Sequence, residues 1–170
     1  MAQRIQVGIC WTKCYGKFMS RCLYENPEST QTLQQGLEEY YRVNPEFNGT
    51  GDFLGQPRKT VIAHDVCHIV FGLGGTSEEE LIVECMTAFG CRMTVTDIYK
   101  IPKTKLVIEL WKTFGPWRLA KRFFWTTPRM IRAIWMTLHM KKKWPHFEYE
   151  QYRGMPLKDL REEFGIRLPV

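Results

Sequence analysis

The sequence predicts an all-α protein with a single domain over residues 1–170 and a divergent N-terminal segment at 1–30. Apolar residues recur at the three- and four-residue spacing of helices in several windows, and no run alternates with the period of two that a strand requires. Glycines and prolines divide the chain into pieces of helical length. A chain of 170 residues is also long enough to bury a hydrophobic core.

The predicted helical segments are, in chain order, residues 28–44, 58–75, 76–90, 94–115, 116–145 and 156–166. Ser29 or Thr30 is expected to cap the first segment, and the glycine- and proline-rich residues 45–57 form a loop after it. Glycines end the second and third segments. Breaks are expected at Pro102 and Pro128, because proline interrupts the hydrogen bonds of a helix, so the total is six or seven helices.

Composition and charge limit the environment and the partners of the chain. A net charge of +6 suits an acidic partner, such as an anionic membrane or a phosphate-bearing ligand. The six cysteines contain no CxxC pair, and the N-terminus has no apolar signal segment. We therefore expect reduced thiols and a cytoplasmic protein attached peripherally to a membrane, on the matrix side of the inner mitochondrial membrane if the source is eukaryotic.

The stretch "AHDVCHIVFGLGGTSEEELIVE" (63–84) places two histidines and several carboxylates in one predicted helical hairpin. His64 and His68 are one helical turn apart, the spacing at which two imidazoles ligate one divalent ion. Asp65 can add an oxygen ligand or orient a histidine, and Glu80 follows after the glycine turn. A structural interpretation stays open beside this one, because Ser77 and Glu80 have the spacing of a capping box. A His-Asp phosphohydrolase is disfavoured, since that class needs a histidine upstream and His64 is the first.

The motif "HDVCH", eleven residues and then Glu80 resemble the HDxxH-x11-E signature of the coenzyme Q (ubiquinone) biosynthesis protein 4 family. The approach "GQPRKTVIAHD", the turn "TSEEE" and the closing "PLKDLREEFGI" are similar to the same family, and the resemblance covers roughly residues 35–168.

The resemblance implies an all-helical fold and a divalent metal ion, usually zinc. Iron and magnesium stay open as alternatives, and iron suits oxygen-dependent chemistry better because zinc has no redox chemistry. His64, Asp65, His68 and Glu80 match the ligand positions. It implies removal of the ring carboxyl group at C1 of a prenylated hydroxybenzoate, with hydroxylation there, at a membrane surface. The expected partners are a polyprenylated aromatic acid or prenyl lipid and the other quinone-biosynthesis proteins. The alternative is a non-catalytic scaffold that binds prenyl lipid and organises those enzymes.

A basic, aromatic segment occupies residues 110–147, which contain nine lysines and arginines and no acidic residue. This composition is typical of a segment lying in a membrane interface. The residues expected to contact membrane or lipid are Arg129, Arg132, Trp135, Lys141, Lys142, Lys143 and Trp144. Burial of the aromatic residues in the core is the structural alternative. Nucleic-acid binding is disfavoured because no recognised binding motif is present. A homodimer is expected on general grounds alone.

Overall fold

The computed structural model describes residues 22–48, 57–93 and 116–169. Within them lie the five α-helices α1 (Leu33–Val43), α2 (Arg58–Phe71), α3 (Ser77–Gly90), α4 (Pro116–Leu138) and α5 (Leu157–Phe164). Short 3-10 turns occur at Leu23–Glu25, Pro45–Phe47 and Tyr149–Tyr152. These ranges contain two isolated β-bridges and no strand, so the all-α prediction is confirmed for them. The predicted helices of 94–115 lie outside the described residues.

Helix α1 begins later than the sequence predicts. Its N-terminal cap is Thr32, whose hydroxyl accepts from the Gln35 backbone N–H at 3.2 Å while the Gln35 side chain accepts from the Thr32 N–H at 2.9 Å. The expectation of a cap at Ser29 or Thr30 was wrong. The backbone carbonyls of Ser29 and Gln31 instead accept hydrogen bonds from the start of α5, which keeps this segment non-helical.

Helix α2 lies at the centre of the core. Its buried side chains include Ala63, Val66, Ile69 and Val70, none of which has measurable exposure. Ile69 meets α1 where Gly36 lies, and a Cβ added at Gly36 would lie 2.6 Å from the Ile69 Cγ2 atom. The hydrophobic effect places a helix with so many apolar side chains inside the domain. Helix α2 therefore holds its few polar side chains in fixed positions.

Helix α4 is continuous over 23 residues, with Pro128 inside it, so the predicted break at Pro128 was wrong. Proline removes one backbone donor, but the helix continues because its inner face packs along α3. Ala133, Met136 and Thr137 are buried on that inner face. None of the helices in the described ranges combines the length and apolar character that crossing a membrane requires.

Arg161 joins α5 to the end of α2 inside the core. The side chain is 4% exposed, and its guanidinium donates to the carbonyls of Ile69 and Val70 at 2.8 and 3.1 Å. It also donates to the carbonyls of Tyr24 and Asn26. Burial lowers the pKa of Arg161 to about 10, well above neutrality, so the group stays charged. One cation therefore satisfies carbonyls at the C-terminus of α2, where the helix dipole favours positive charge.

Candidate metal centre

The turn between α2 and α3 folds the two helices into a hairpin. Gly72 ends α2 in the left-handed conformation, with a φ of 65°, and the Leu73 N–H donates to the His68 carbonyl at 2.9 Å. This is the hydrogen-bond pattern of a glycine-terminated helix. The chain then reverses over residues 72–76, so the first turn of α3 lies beside the last turns of α2.

The cap of α3 is Thr76, one residue earlier than the capping box that the sequence suggests. The Thr76 hydroxyl accepts from the Glu79 backbone N–H at 3.3 Å, and the Glu79 carboxylate accepts from the Thr76 N–H at 3.2 Å. The alternative in which Glu80 forms a capping box with Ser77 is therefore wrong. Because Glu79 takes the capping role, the carboxylate of Glu80 is available to α2.

Three side chains converge across the hairpin. Glu80 Oε1 lies 3.0 Å from His64 Nε2, and Glu80 Oε2 lies 3.2 Å from His68 Nε2. The two Nε2 atoms are 3.2 Å apart. Glu84 lies further out, with its Oε1 3.9 Å from His64 Nδ1. The structure thus brings His64, His68 and Glu80 together in one group that can hold a metal ion.

The orientation of His68 determines what this group can bind. Its Nδ1 lies 2.8 Å from the Gly74 carbonyl oxygen, which can only accept a hydrogen bond, so Nδ1 carries a proton. In the neutral imidazole, Nε2 then presents a lone pair to Glu80 Oε2, which is also an acceptor. Two facing acceptors repel each other unless a cation lies between them. The three convergent groups therefore call for a shared cation, either a proton or a metal ion.

The electrostatics of the group reflect the same convergence. Burial alone would lower the pKa of His64, but its hydrogen bond to Glu80 and the charges of Glu80 and Glu84 raise that pKa to about 10. Burial alone would raise the pKa of Glu80, but His68 and His64 hold it well below its ordinary value. Without a metal ion, His64 and Glu80 therefore form a charged pair at neutral pH.

The donor set fits a divalent metal ion. For tetrahedral zinc with bonds of about 2.0–2.1 Å to nitrogen and oxygen, neighbouring ligand atoms lie about 3.3–3.4 Å apart. Here the two Nε2 atoms lie 3.2 Å apart, Glu80 Oε1 lies 3.0 Å from the Nε2 of His64, and Glu80 Oε2 lies 3.2 Å from the Nε2 of His68. Two histidines and one glutamate are also the ligands of catalytic zinc sites, which keep a fourth position open. The His68 side chain is 1% exposed, whereas those of His64 and Glu80 are 25% and 34% exposed, so the group faces solvent on one side.

Asp65 lies outside this group of three. Its carboxylate is buried and accepts a hydrogen bond from the Tyr41 hydroxyl at 2.8 Å. Desolvation raises the pKa of Asp65, against the opposing effects of Tyr41, His64 and His68. The structure therefore gives Asp65 a partner on α1, and its role as a direct ligand stays a prediction. Sequence reasoning missed Tyr41 and Gly74, since nothing in the local pattern marks a residue that only orients a ligand.

Six of the seven residues predicted to contact a membrane have exposed side chains. Arg129, Arg132 and Trp135 are exposed on α4, and the side chains of Lys141, Lys142 and Lys143 are exposed in the loop that follows. Arg129 pairs with Glu78 at 3.3 Å. Lys142 pairs with Glu163, and Lys141 and Lys143 donate to the carbonyls of Glu162 and Phe89.

Trp144 does not lie at the surface. It has no measurable exposure and packs against Phe164 and Tyr152, with ring centroids 5.0 and 5.1 Å away. The prediction that Trp144 contacts a membrane was therefore wrong for the folded protein. The cause is its backbone, which pairs with Gly90 and Arg92 and turns the indole into the core.

Comparison of the chain with protein-family models, curated proteins and solved structures finds no match.

Proposed function

We propose that this chain binds a divalent metal ion through His64, His68 and Glu80 and acts in ubiquinone biosynthesis. Its reaction would be the removal of the ring carboxyl group at C1 of a prenylated hydroxybenzoate as carbon dioxide, with hydroxylation at that carbon by one oxygen atom of dioxygen, the other leaving as water with two electrons from an external reductant. The observation that supports metal binding is the convergence of His64, His68 and Glu80: the two Nε2 atoms lie 3.2 Å apart, and each has one Glu80 carboxylate oxygen within 3.2 Å. The pathway and the substrate class rest on the resemblance of "HDVCH" and Glu80 to the family signature.

The chemistry of the donor set suits this reaction. A bound divalent ion would supply Lewis acidity toward a phenolate or carboxylate oxygen of the substrate. The chain's own residues fix where that happens: the Gly74 carbonyl holds the His68 ring in place, and Glu80 supplies negative charge from the partly exposed side. Two histidines and one carboxylate also form the ligand set of non-haem iron oxygenases. Iron suits the hydroxylation better than zinc, because zinc has no redox chemistry.

The exposed face of α4 supports the membrane part of the proposal. Trp117, Phe124, Ile131, Trp135 and Leu138 recur at helical spacing, and each is at least 52% exposed in the described part of the chain. Lys121 and Arg132 are exposed beside this stripe. An apolar stripe bordered by cations suits the surface of an anionic bilayer.

The same stripe favours the alternative function, a scaffold that binds prenyl lipid without catalysis. The two functions differ in whether the metal ligands are needed for quinone synthesis. The test uses wild type, His64→Ala and, as a matched control, Glu84→Gln, whose carboxylate lies outside the group of three. Metal content of the purified protein is measured first, and Glu84→Gln is expected to match wild type while His64→Ala loses one equivalent.

Each variant is then expressed in a strain that lacks the C1 decarboxylation step, and quinone content and release of labelled carbon dioxide from the ring carboxyl group are measured. The catalytic function requires that Glu84→Gln restores both and that His64→Ala restores neither. If His64→Ala folds, lacks the ion and still restores quinone synthesis, the enzymatic proposal fails and the scaffold remains.

The membrane contact is tested by sedimentation with anionic vesicles. Phe124→Ser with Ile131→Ser is expected to weaken binding at least tenfold, because both side chains leave the α4 stripe. Phe89→Ser is the matched control, since Phe89 is an exposed aromatic residue on α3. Equal binding of all three proteins to the vesicles would show that the α4 stripe does not contact the membrane.

A further inference from the structure

A second cluster of ligand-type side chains lies in the core and plays no part in the proposed reaction. It consists of Cys67 on α2, Cys91 directly after α3 and His146 in the loop after α4, all three buried. Cys67 Sγ lies 3.9 Å from Cys91 Sγ and 3.3 Å from His146 Nδ1. The three ligand atoms all lie within 4.8 Å of one another.

These separations match those of a common metal ion. In tetrahedral zinc sites the bonds are about 2.3 Å to sulfur and about 2.0–2.1 Å to nitrogen. Neighbouring sulfurs then lie about 3.8 Å apart, and sulfur and nitrogen about 3.5 Å apart. The measured separations of 3.9 and 3.3 Å lie within a few tenths of an ångström of both values.

The backbone fixes this arrangement independently of the side chains. Cys91 and Trp144 form an isolated parallel β-bridge. The Arg92 N–H donates to the Trp144 carbonyl at 2.7 Å, and the Trp144 N–H donates to the Gly90 carbonyl at 2.9 Å. These bonds hold the segment that carries His146 against the end of α3, so the three ligands are positioned before any ion binds.

Thr87 provides an independent observation at the same place. Its side chain is 5% exposed and lies beside both sulfurs. Its Oγ1 atom makes no hydrogen bond to nitrogen or oxygen among the described residues and is in reach of both thiols. A metal-bound thiolate is a strong acceptor and would satisfy this donor.

We propose that Cys67, Cys91 and His146 form a second metal site for a soft d10 cation of the Zn²⁺ and Cu⁺ class. Thiolate and imidazole ligands select such ions over magnesium or calcium. Both cysteines bind such an ion as thiolates, so the affinity of the site depends on pH. Its three ligands are separate from His64, His68 and Glu80, so the site does not depend on the proposed decarboxylation.

The test is a titration of the full chain with Co²⁺ under a phosphine reductant, followed by near-ultraviolet absorption. Thiolate-to-metal charge transfer distinguishes a cysteine site from the group of His64, His68 and Glu80, which contains no sulfur, and the cysteine variants separate this cluster from the other thiols of the chain. One equivalent of charge-transfer absorption is expected, and one equivalent of Zn²⁺ should displace it. Cys91→Ser and His146→Asn are each expected to weaken Co²⁺ binding at least 100-fold.

Cys85→Ser is the matched control, since Cys85 lies on α3 outside the cluster, and Glu80→Ala is the control for the other site. Both are expected to keep the absorption of wild type, so loss of the proposed function would leave this result unchanged. Circular dichroism checks that each variant folds. If Cys91→Ser or His146→Asn does not fold, the other variant alone is enough for the test. Absence of charge transfer in the wild type would overturn the proposal. Charge-transfer absorption in Cys91→Ser equal to that of the wild type would also overturn it. The same holds if Cys67 and Cys91 form a disulfide and the reduced protein binds no ion.

Discussion

Glu79 and Glu80 are adjacent glutamates with different roles. Replacing each one singly by alanine distinguishes the capping role from the metal-binding role. The Glu79 carboxylate accepts from the Thr76 N–H at 3.2 Å and caps α3. The Glu80 carboxylate lies 3.0 and 3.2 Å from the two histidines. Both residues lie in the first turn of the same helix, so the two alanine variants change the helix propensity and the dipole interaction equally.

The expected magnitudes follow from metal linkage. Zinc at 100 times its Kd stabilises the folded state by about 2.7 kcal/mol, or about 5–11 °C in Tm for a chain of this size. Loss of a residue that only supports a ligand weakens metal binding by about 10- to 100-fold, so loss of the Glu80 carboxylate should weaken it at least 100-fold. At the same zinc concentration, stabilisation of Glu80→Ala then falls to about 0.4 kcal/mol, which is about 1–2 °C.

Glu79→Ala is expected to behave in the opposite way. It loses about 0.5–1 kcal/mol of capping energy, so Tm without metal falls by about 1–4 °C, while the zinc-induced increase stays at its wild-type value. Thermal unfolding with and without zinc measures both quantities. The pair is compared in the Cys91→Ser background, so that the cysteine cluster adds no zinc response of its own. A full zinc response in Glu80→Ala would refute the assignment of Glu80 as a ligand.

Four further predictions concern the titration of the site and the packing of the core. In the same background, zinc affinity should increase about tenfold per pH unit between about pH 6.5 and 8.5, because the pKa of His64 is raised to about 10 and a proton must leave. Without metal, the free energy of unfolding should fall over this range, because a raised folded-state pKa stabilises the protein below the ordinary pKa of 6.5 and that contribution is lost as the pH approaches 10. Calorimetry showing flat profiles of zinc affinity and stability would contradict both statements. Gly36→Ala should destabilise by about 1–3 kcal/mol in urea unfolding, and Ile69→Leu, which lacks the clashing Cγ2 atom, should restore part of the loss. Arg161→Met should cost at least about 3 kcal/mol, because four carbonyls lose their donor, and an unchanged urea midpoint would be the contrary result.

Local sequence signals predicted the helices of the hairpin well. The apolar spacing over 58–75 and 76–90 and the glycines after them predicted α2 and α3, which end at Phe71 and Gly90. The spacing of His64 and His68 predicted that their side chains share one face, and their Nε2 atoms lie 3.2 Å apart. Both signals act within one or two helical turns, where the geometry of the helix itself determines which side chains are neighbours.

Helix boundaries were harder to predict because neighbouring residues compete for the same role. Thr76 and Ser77 can each cap a helix, and Glu79 and Glu80 can each complete the box. The choice depends on Glu80 having the histidines as partners, which is a tertiary contact. Pro128 is a similar case, since its local effect opposes a helix and the packing of α4 on α3 outweighs it.

The aromatic residues near the C-terminus show why composition cannot separate a membrane face from a core. Trp135 and Trp144 lie in the same basic segment, yet the first is 52% exposed and the second is buried. Trp135 belongs to a helix whose inner face is already filled, so its position on the turn determines its exposure. Trp144 follows the end of that helix, where a β-bridge to Cys91 sets its direction. That bridge joins residues 53 positions apart and also brings His146 to the two thiols. Loss of the Trp144 backbone pairing should therefore disturb the cysteine cluster before it disturbs His64, His68 and Glu80.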